Sequence, residues 1–434
     1  MDNFVKKLNT KIAKRCLNIG VIGIGYVGIK LVLAFSKRQN LIYCFDQDKN
    51  KISRLKKGKS PYSYINDSEI KSKLKYLNLE NKLININKCD VIIFCLPTPL
   101  KKEKPDLSNV KKGWKKIQPL IKPGQLIILE STVYPGCTEE IFVKFLKKNF
   151  ELDNDIFLSY SPERENPGDK KFSFKNTPKV VSGIKKNSSK LAASLYKIIV
   201  NKVVESPSIK IAETSKLLEN IYRSVNIALI NELKIACDNL GIDIYKVIDI
   251  ASTKPFGFQK FAPGPGTGGH CIPIDPTYFS WLSAKKGFNV KFIELSAKIN
   301  SFRTRFVTKK IEHLIKNYKT NKKKILVLGL SYKKNIEDSR ESASVKIFQN
   351  LKSKKFQIDY CDPFIKNYEF IINKKKILIK SKKIQKNIFN NYQFIIIATD
   401  HDKFNYKNII NSKKIIIDLR GRFRDYKQNN IISI

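Results

Sequence analysis

The residues best suited to chemistry lie in one loop, 263–276, which reads Pro-Gly-Pro-Gly-Thr-Gly-Gly-His-Cys-Ile-Pro-Ile-Asp-Pro. Cys271 ends a glycine-rich stretch and Asp275 follows it by four residues. Glycines let a backbone adopt positive φ and approach a bulky anionic ligand closely. A thiol held at such a turn can capture a carbonyl covalently during an oxidation. The alternative is a buried structural cysteine, because most free cysteines are inert packing residues.

A second candidate site follows the first predicted strand, Leu17 to Ile22. The segment Gly23-Ile24-Gly25-Tyr26-Val27-Gly28 has the G-x-G-x-x-G spacing, and the next predicted strand, Leu41 to Phe45, ends at Asp46. This βαβ context is typical of a dinucleotide-binding turn, in which the glycines let a pyrophosphate reach the helix N-terminus. Asp46 is expected to accept hydrogen bonds from ribose hydroxyls, which favours NAD over NADP, while nearby Lys51 complicates that preference.

Hydroxyl residues follow two further predicted strands. Asp90 to Leu96 leads into Pro97-Thr98-Pro99, and Gln125 to Glu130 leads into Ser131-Thr132. Open α/β sheets bind ligands at the carboxyl ends of their strands. Continuous apolar strands that alternate with helices predict a parallel sheet covered on both faces.

The remainder of the chain has a long helical stretch and a second α/β pattern. From Ser208 to Leu240, apolar residues at three- and four-residue spacing predict one helix that links domains and packs against a partner subunit. Strands are predicted again from Lys324 onward, without a complete G-x-G-x-x-G, so this half is expected to bind another nucleotide. We predict an α/β protein with a Rossmann domain at 1–205, a helical domain at 206–310 and a Rossmann-like domain at 311–434.

Composition narrows the functional classes. The net charge is +45, but only 11 of the 83 basic residues are Arg, and the Lys residues are spread along the whole chain. Arg is the residue favoured for bidentate phosphate and base recognition, so a general compositional bias explains the charge better than specific nucleic-acid binding. The eight cysteines form no C-x-x-C pair and only three histidines are present, so neither a disulfide framework nor a metal site is expected.

Two further observations concern location. No apolar run reaches the roughly 18 residues of a membrane span. The segment Met1 to Arg15 is charged and amphipathic and lacks the apolar core of a signal peptide. We therefore expect a cytoplasmic protein with a short extension before its first strand.

Several long motifs in order resemble the UDP-glucose/GDP-mannose dehydrogenase family over nearly the whole chain. They are the dinucleotide turn, Pro97-Thr98-Pro99, Glu130-Ser131-Thr132, Ser161 to Gly168, Ala212 to Asn220, Thr253 to Phe258, the cysteine loop, Tyr332-Lys333 and Arg340-Glu341-Ser342. The resemblance implies an NAD-binding domain, a helical dimerising centre and a C-terminal domain for the UDP moiety. It also implies a homodimer that oxidises the C6 alcohol of a sugar to a carboxylate with two NAD⁺, for surface polysaccharide.

The family's catalytic roles fall on six residues here. Cys271 is expected to trap the aldehyde as a thiohemiacetal, which a second oxidation turns into a thioester. Lys216 and Asn220, which are i,i+4 neighbours on one helix face, are implied to stabilise the alkoxide and oxyanion at C6. Thr132 and Asp275 match the residues that hold the catalytic water, and Glu163 matches a glutamate proposed to manage water during thioester hydrolysis.

The resemblance also assigns the binding residues. For the cofactor these are Gly23, Gly25, Tyr26, Val27, Gly28, Asp46, Lys51, Pro97, Thr98, Ser131, Thr132 and Arg340. For the substrate they are Arg164, Lys216, Asn220, Lys254, Gly266, Gly268 and Lys333.

Two departures from the UDP-glucose enzymes indicate the substrate. Pro167 stands where those enzymes have a second glutamate, and Ile274 stands where they have a lysine. With Arg164-Glu165-Asn166 and His270, these residues favour a UDP-N-acetylhexosamine, first UDP-N-acetylglucosamine. UDP-glucose and GDP-mannose remain same-fold alternatives. A simpler 3-hydroxyacid or 6-phosphogluconate-type dehydrogenase would need neither the cysteine nor the second Rossmann-like domain. A basic nucleic-acid-binding or scaffold protein is the alternative from another class.

Overall fold

The structure is a computed structural model that describes residues 3–37, 39–62, 64–164, 173–269, 271–319, 323–385, 387–426 and 428–434. It divides into two compact units, one formed by residues 1–219 and 277–288 and the other by 220–276 and 289–434. The sequence-predicted boundaries near 205 and 310 stay a prediction.

The first unit is built around a large sheet. Its elements are α1 (Phe4–Lys14), β1 (Asn18–Ile22), α2 (Gly28–Phe35), β2 (Leu41–Phe45), α3 (Lys49–Lys56), α4 (Asp67–Lys73), β3 (Leu77–Glu80), β4 (Val91–Phe94), β5 (Leu100–Lys101), β6 (Lys104–Pro105), α5 (Ser108–Ile117), β7 (Leu126–Leu129), α6 (Cys137–Asn149), β8 (Phe157–Tyr160), β9 (Lys179–Gly183), α7 (Lys186–Tyr196) and β10 (Val203–Glu205). The predicted bounds of β2 are confirmed, and those of β1 differ by one residue.

Within the described residues this sheet has eight strands in the order β10-β9-β8-β7-β4-β1-β2-β3. The pairings are parallel except for β8 with β9, which is antiparallel. The four central strands β7, β4, β1 and β2 are almost wholly buried, as strands covered on both faces must be. Parallel strands place their carboxyl ends at one edge, so the loops after β1, β4 and β7 share that edge.

The N-terminal extension is more than a spacer. It forms α1, whose Leu8 and Ile12 are buried in the same hydrophobic core as β1, α2 and α7. Phe4 packs against Gly124, where an added Cβ would lie 2.9 Å from its ring.

The long helix predicted from Ser208 to Leu240 is confirmed as α8 (Ile209–Asn239), which runs from the first unit into the second. The remaining elements are α9 (Ile244–Ala251), α10 (Asp275–Lys285), α11 (Lys291–Asn317), β11 (Ile325–Leu328), α12 (Ala343–Ser353), β12 (Ile358–Cys361), β13 (Asn367–Ile372), β14 (Lys375–Lys380), β15 (Phe394–Ile397), α13 (Tyr406–Asn411), β16 (Ile415–Asp418) and β17 (Ile431–Ser433). Strands β12-β11-β15-β16-β17 form a parallel sheet, and β13 with β14 forms an antiparallel hairpin. The fold is therefore the predicted α/β architecture, with a helical segment between two sheet-bearing halves.

Candidate active site

The three glycines of the turn after β1 differ in the space that surrounds them. Gly23 has φ +94° and an added Cβ would lie 2.7 Å from the Cys95 carbonyl oxygen, while a Cβ on Gly28 would lie 2.0 Å from the Gly23 oxygen. These two glycines are required by the chain's own backbone. A Cβ on Gly25 would meet nothing within 4 Å. Val27, the residue before α2, provides no side-chain cap, and the open face of Gly25 at this helix N-terminus fits a pyrophosphate.

Asp46 is fixed at the end of β2 by three donors. Its Oδ2 accepts the Ile24 N–H at 2.9 Å and lies 2.6 Å from Lys51 Nζ, and its Oδ1 accepts the Asp48 N–H at 3.0 Å. Lys51, which complicated the predicted preference for NAD over NADP, thus forms a direct ion pair with Asp46. Asp46 directly follows β2, and its binding of ribose stays a prediction.

Aromatic rings lie beside this turn. Of these rings, only Tyr26 was predicted from the sequence. The Tyr26 ring lies 5.0 Å from the ring of Tyr62 and 5.7 Å from that of Tyr64. The Tyr62 hydroxyl donates to the Ile24 carbonyl at 2.6 Å. Two tyrosines two residues apart, directly after Pro61, were the available signal.

The hydroxyl residues after β4 and β7 tie these two strand ends together. Thr98 Oγ1 donates to the Thr132 carbonyl at 2.8 Å, and Ser131 Oγ donates to the Leu96 carbonyl at 2.7 Å. The hydroxyl of the fully buried Tyr278 donates to the Thr98 carbonyl. Pro97, Thr98 and Ser131 therefore shape the loop edge, and Thr132 is half-buried beside them.

Glu163 and Arg164 are held in the first unit. The Arg164 N–H donates to Glu163 Oε1 at 2.8 Å, and its guanidinium pairs with Glu219 at 2.7 Å. The predicted specificity residue Pro167 and its neighbours 165–168 lie outside the described residues, as does His270.

Helix α8 is anchored beside Lys216 by a buried carboxylate. Glu213 accepts the backbone N–H groups of Gly136 and Thr138, at 2.5 and 2.9 Å, and the Thr138 hydroxyl. It therefore caps the N-terminus of α6, which has no cap from its own sequence. Burial raises the pKa of Glu213 to about 7, against the lowering effect of these hydrogen bonds.

Lys216 is not the solvated surface lysine that most lysines of this chain are. It is only 9% exposed, and its ammonium makes no ion pair with any residue that the structure describes. Burying an ammonium without a counter-charge is costly, which sets Lys216 apart from the exposed lysines of the chain.

Asn220 and Asp275 are brought together. Asn220 Nδ2 donates to Asp275 Oδ2 at 2.6 Å, and both residues are buried. The backbone carbonyl of Cys271 accepts the N–H groups of Ile274 and Asp275, so the cysteine sits on the turn that opens α10. The pair and the thiol-bearing turn thus share Asp275.

The eight cysteines, all among the described residues, form no disulfide. Burial raises the pKa of the thiols of Cys44, Cys89, Cys95, Cys137 and Cys361, which makes them poor nucleophiles. Cys271 is half-buried and lies outside this inert group.

The glycines of the cysteine loop are required by packing. A Cβ on Gly266 would lie 2.1 Å from Thr304 Oγ1, and one on Gly268 would lie 2.6 Å from Tyr332 Cβ. The Gly269 N–H donates to the Arg340 carbonyl at 2.9 Å. The loop is therefore set against the predicted substrate segment around Lys333, and close ligand approach is not the only reason for its glycines.

Two arginines at this loop were missed from the sequence. Arg303 is 1% exposed and its Nε donates to the Gly264 carbonyl at 3.0 Å, while both of its terminal nitrogens lack a hydrogen-bond partner among the described residues. A Cβ on Gly264 would lie 3.1 Å from Arg420 Nη1. The scarcity of Arg in this Lys-rich chain was the signal that could have found them.

The other predicted basic residues are less enclosed. The Arg340 guanidinium binds Asp338, with Nη2 to Oδ2 at 2.6 Å, and Lys333 is half-buried. Lys254 is exposed and its Nζ lies 4.7 Å from the centre of the exposed Phe256 ring.

The turn after β11, in the C-terminal half, resembles the turn after β1, but its carboxylate also contacts a histidine. Gly329 follows β11 with φ +84°, and the Leu330 N–H donates to Asp362 Oδ2 at 2.6 Å, as the Ile24 N–H does to Asp46. Here the buried His401 Nε2 lies 3.2 Å from the same oxygen. Burial alone would raise the pKa of Asp362, but His401 and the backbone N–H groups lower it to about 2. The Asp362 carboxylate thus pairs with a fully buried imidazole, whereas Asp46 pairs with the half-buried Lys51.

The described residues contain no cluster of three His, Cys, Asp or Glu residues arranged to hold a metal ion. None of the helices found there is both long and apolar enough to span a bilayer.

Comparison with known proteins gives matches along most of the chain. Models of the UDP-glucose/GDP-mannose dehydrogenase family match in succession: the NAD binding domain at residues 17–200, the central domain at 210–302 and the UDP binding domain at 326–425.

Individual relatives are similar over nearly their full length. The chain is 36% identical over 355 residues to the UDP-N-acetyl-D-glucosamine 6-dehydrogenase of Pseudomonas aeruginosa, covering 80% of this chain and 83% of that protein. It is 31% identical over 413 residues to the UDP-N-acetyl-D-mannosamine dehydrogenase of Methanococcus vannielii, covering 93% and 89%. The solved structure of the UDP-D-ManNAc dehydrogenase of Pyrococcus horikoshii matches with a TM-score of 0.83 at 26% identity, covering 96% of this chain and 99% of that one.

Proposed function

The chain belongs to the UDP-glucose/GDP-mannose dehydrogenase family and is an NAD-dependent UDP-sugar dehydrogenase, and on that premise we propose that it oxidises C6 of a UDP-N-acetylhexosamine to the carboxylate. UDP-N-acetylglucosamine is the substrate we favour. The product would supply a uronic acid for surface polysaccharide.

The hydrogen bond between Asn220 and Asp275, on the turn that carries Cys271, supports this proposal most directly. Both members of the pair are buried, and Asp275 ends the turn that carries the half-buried Cys271. An oxyanion donor, a carboxylate that orders water and a nucleophile are the three groups that thioester chemistry needs.

We assign the remaining roles as follows. The bound NAD supplies the hydride acceptor for both oxidations. The Lys216 ammonium and the Asn220 amide stabilise the negative charge at C6, Cys271 forms the thiohemiacetal and then the thioester, and Thr132, Asp275 and Glu163 manage the water that hydrolyses it.

Substrate choice is supported by the relatives and by one local feature. The two relatives above are named for UDP-N-acetylglucosamine and UDP-N-acetylmannosamine, so both act on 2-acetamido sugars. Ile274 is 8% exposed at the turn before α10, where the UDP-glucose enzymes have a lysine. An apolar side chain suits an acetamido methyl better than it suits a bare hydroxyl. The C2 configuration, gluco or manno, is decided by the experiment below.

We further propose the three-domain organisation and a homodimer. Helix α8 exposes a row of large apolar side chains that a lone chain would leave in water, and a second copy is the partner that the family implies.

The test measures NADH formed per sugar with UDP-N-acetylglucosamine, UDP-N-acetylmannosamine, UDP-N-acetylgalactosamine, UDP-glucose and GDP-mannose. We expect two NADH per UDP-N-acetylglucosamine and at least about tenfold lower kcat/KM for UDP-glucose, the effect of roughly 1.4 kcal/mol. Cys271→Ser should fail to complete the second oxidation, while Cys237→Ser, also half-buried, should behave like wild type. Full turnover by Cys271→Ser would remove the thiol from the mechanism, and faster oxidation of UDP-glucose or UDP-N-acetylmannosamine would replace the proposed substrate.

A further inference from the structure

A buried group of charges in the first unit is left unexplained by the roles above. Lys179, the first residue of β9, lies with its Nζ 3.0 Å from Glu130 Oε2 and 3.2 Å from Glu163 Oε2. The Tyr196 hydroxyl, at the end of α7, donates to the other oxygen of Glu130. Glu130 directly follows β7 and Glu163 comes three residues after β8, so three strands and a helix meet at this ammonium.

Among the described residues, this group combines one ammonium with two carboxylates. The side chains of Lys179 and Glu130 are 3% and 0% exposed and already neutralise one another. A buried ion pair contributes little net stability, because desolvation offsets the attraction. The second carboxylate, Glu163, is 17% exposed and could reach solvent instead. Its attachment to the same ammonium therefore needs a reason other than stability.

Both carboxylate oxygens of Glu163 are oriented by the chain. Oε2 faces the Lys179 ammonium, and Oε1 accepts the Arg164 N–H at 2.8 Å. This arrangement restrains the plane of the carboxylate. A general base works only when its carboxylate is held in a fixed orientation, and the two attachments supply that restraint.

The two carboxylates stabilise the charged form of Lys179. Burial would lower the pKa of Lys179, but Glu130 and Glu163 together raise it above its ordinary value. Among the described residues, the rings of Tyr196 and Phe174 also lie 5.1 and 5.8 Å from Nζ, and the Cys95 thiol interacts electrostatically with it. None of these three groups is a second cation that would compete for the two carboxylates.

We propose that Lys179, anchored by Glu130 and Tyr196, is a positioning residue that holds Glu163 for hydrolysis of the Cys271 thioester. The inference rests on the proposed function. In this step the oxygen of water bonds to the thioester carbonyl carbon and a water proton passes to the Glu163 carboxylate. The C–S bond then breaks, the electron pair stays on Cys271 sulfur as thiolate, and the sugar carboxylic acid loses its proton to solvent.

Lys179→Met in the full-length enzyme, with NAD⁺ and UDP-N-acetylglucosamine, is the first test. The first NADH burst and kcat/KM should stay near wild type, because neither depends on water activation. The steady-state kcat should fall about 10- to 100-fold, part of the contribution of a general base. Mass spectrometry should then find the uronyl adduct accumulated on Cys271. Lys190→Met, an exposed lysine on α7, is the matched control and should show no adduct.

A double variant separates positioning from a structural role, because Lys179→Met alone leaves Glu130 buried without its cation. Glu130→Gln/Lys179→Met removes both buried charges and keeps the side-chain volumes and the acceptor for Tyr196. If Lys179 acts on Glu163, the folded double variant still accumulates the adduct, and Lys179→Arg recovers part of the lost kcat. Wild-type turnover by the double variant would mean that Lys179 only neutralises Glu130, and would overturn the inference.

Glu163→Gln distinguishes failure of the inference from failure of the proposed function. An adduct in Glu163→Gln but not in Lys179→Met leaves the proposed chemistry standing and removes Lys179 from it. The absence of an adduct from both, with unchanged kcat, contradicts the water role of Glu163 and the inference with it.

Discussion

At the scale of single residues, the three glycines of the dinucleotide turn serve different purposes. Gly23 and Gly28 are demanded by backbone contacts of the fold, whereas the Cβ direction of Gly25 is open. Sequence spacing identifies the motif but cannot make this distinction, since it depends on which atoms lie opposite each Cα.

Gly25→Ala should therefore leave the fold intact and weaken binding of the cofactor. The new methyl enters the space that a pyrophosphate would occupy, so we expect at least about tenfold weaker NAD⁺ binding, or roughly 1.4 kcal/mol. Thermal unfolding should stay close to wild type. Gly23→Ala is the contrast, because a positive φ and a 2.7 Å contact with Cys95 should destabilise the fold itself. Calorimetric NAD⁺ titration with melting curves checks both, and unchanged NAD⁺ affinity in Gly25→Ala would place the pyrophosphate elsewhere.

Lys216→Met should lower kcat more than it raises KM. The charge at C6 that Lys216 is proposed to stabilise develops only during reaction, and one positioned donor is typically worth about 10²- to 10³-fold in rate. Lys210→Met, an exposed lysine on the same helix, is the control. An increase confined to KM would make Lys216 a ground-state binding residue.

Long motifs predict candidate residues, whereas the contacts between those residues depend on the fold. Cys271, Asn220 and Asp275 were predicted as catalytic residues, but the hydrogen bond between Asn220 and Asp275 was not predicted. Arg303 was not predicted, because it lies in an amphipathic helix pattern in which a charged residue suggests solvent exposure. Only the fold reveals that it is 1% exposed.

At the scale of elements, α6 and α8 are joined by one carboxylate. Because burial raises the pKa of Glu213 from 4.5 to about 7, the folded chain keeps a proton there that the unfolded chain releases above about pH 4.5. The unfolding free energy contributed by this group therefore falls as pH rises from about 4.5 to about 7.

Glu213→Gln should remove this pH-dependent contribution to the unfolding free energy. Between pH 5 and pH 8, the stability of the variant relative to wild type should improve by at least about 1.4 kcal/mol, the value of one pKa unit. Urea unfolding at the two pH values measures it, with the exposed Glu232→Gln on the same helix as control. A pH-independent difference would show that Glu213 is ionised throughout.

The predicted elements failed mainly where strands are short or exposed. Helix α8 and strand β2 were found because long apolar periodicity and a buried run leave little ambiguity. The hairpin of β13 and β14 was missed, since β14 reads Lys-Lys-Ile-Leu-Ile-Lys and is almost wholly exposed, so no alternation marks a buried face. The antiparallel pairing of β8 with β9 was equally hidden, because partner choice between strands depends on the tertiary fold.

At the scale of the whole molecule, the charge of +45 and the exposed apolar surface have different meanings. The basic residues give a general field that attracts anionic nucleotides without specifying one. The exposed apolar residues of α8, in contrast, follow a regular spacing. Along α8 the exposed large side chains follow one another at alternating seven- and four-residue spacing, which keeps them on one stripe: Ile211, Leu218, Tyr222, Leu229 and Leu233.

This stripe is the surface on which we expect the homodimer to form. Alternating spacings of seven and four residues suit one helix packed along another, and exposures between 41% and 61% leave much of each side chain to be covered. Leu229→Asp would place a carboxylate in the middle of that contact, where burial without a partner is costly. Sedimentation velocity should show wild type as a dimer and Leu229→Asp shifted towards monomer. Ile371→Asp, which changes a similarly exposed apolar residue on β13, is the matched control and should remain dimeric. A dimeric Leu229→Asp, or a wild type that stays monomeric at micromolar concentration, would remove α8 as the interface.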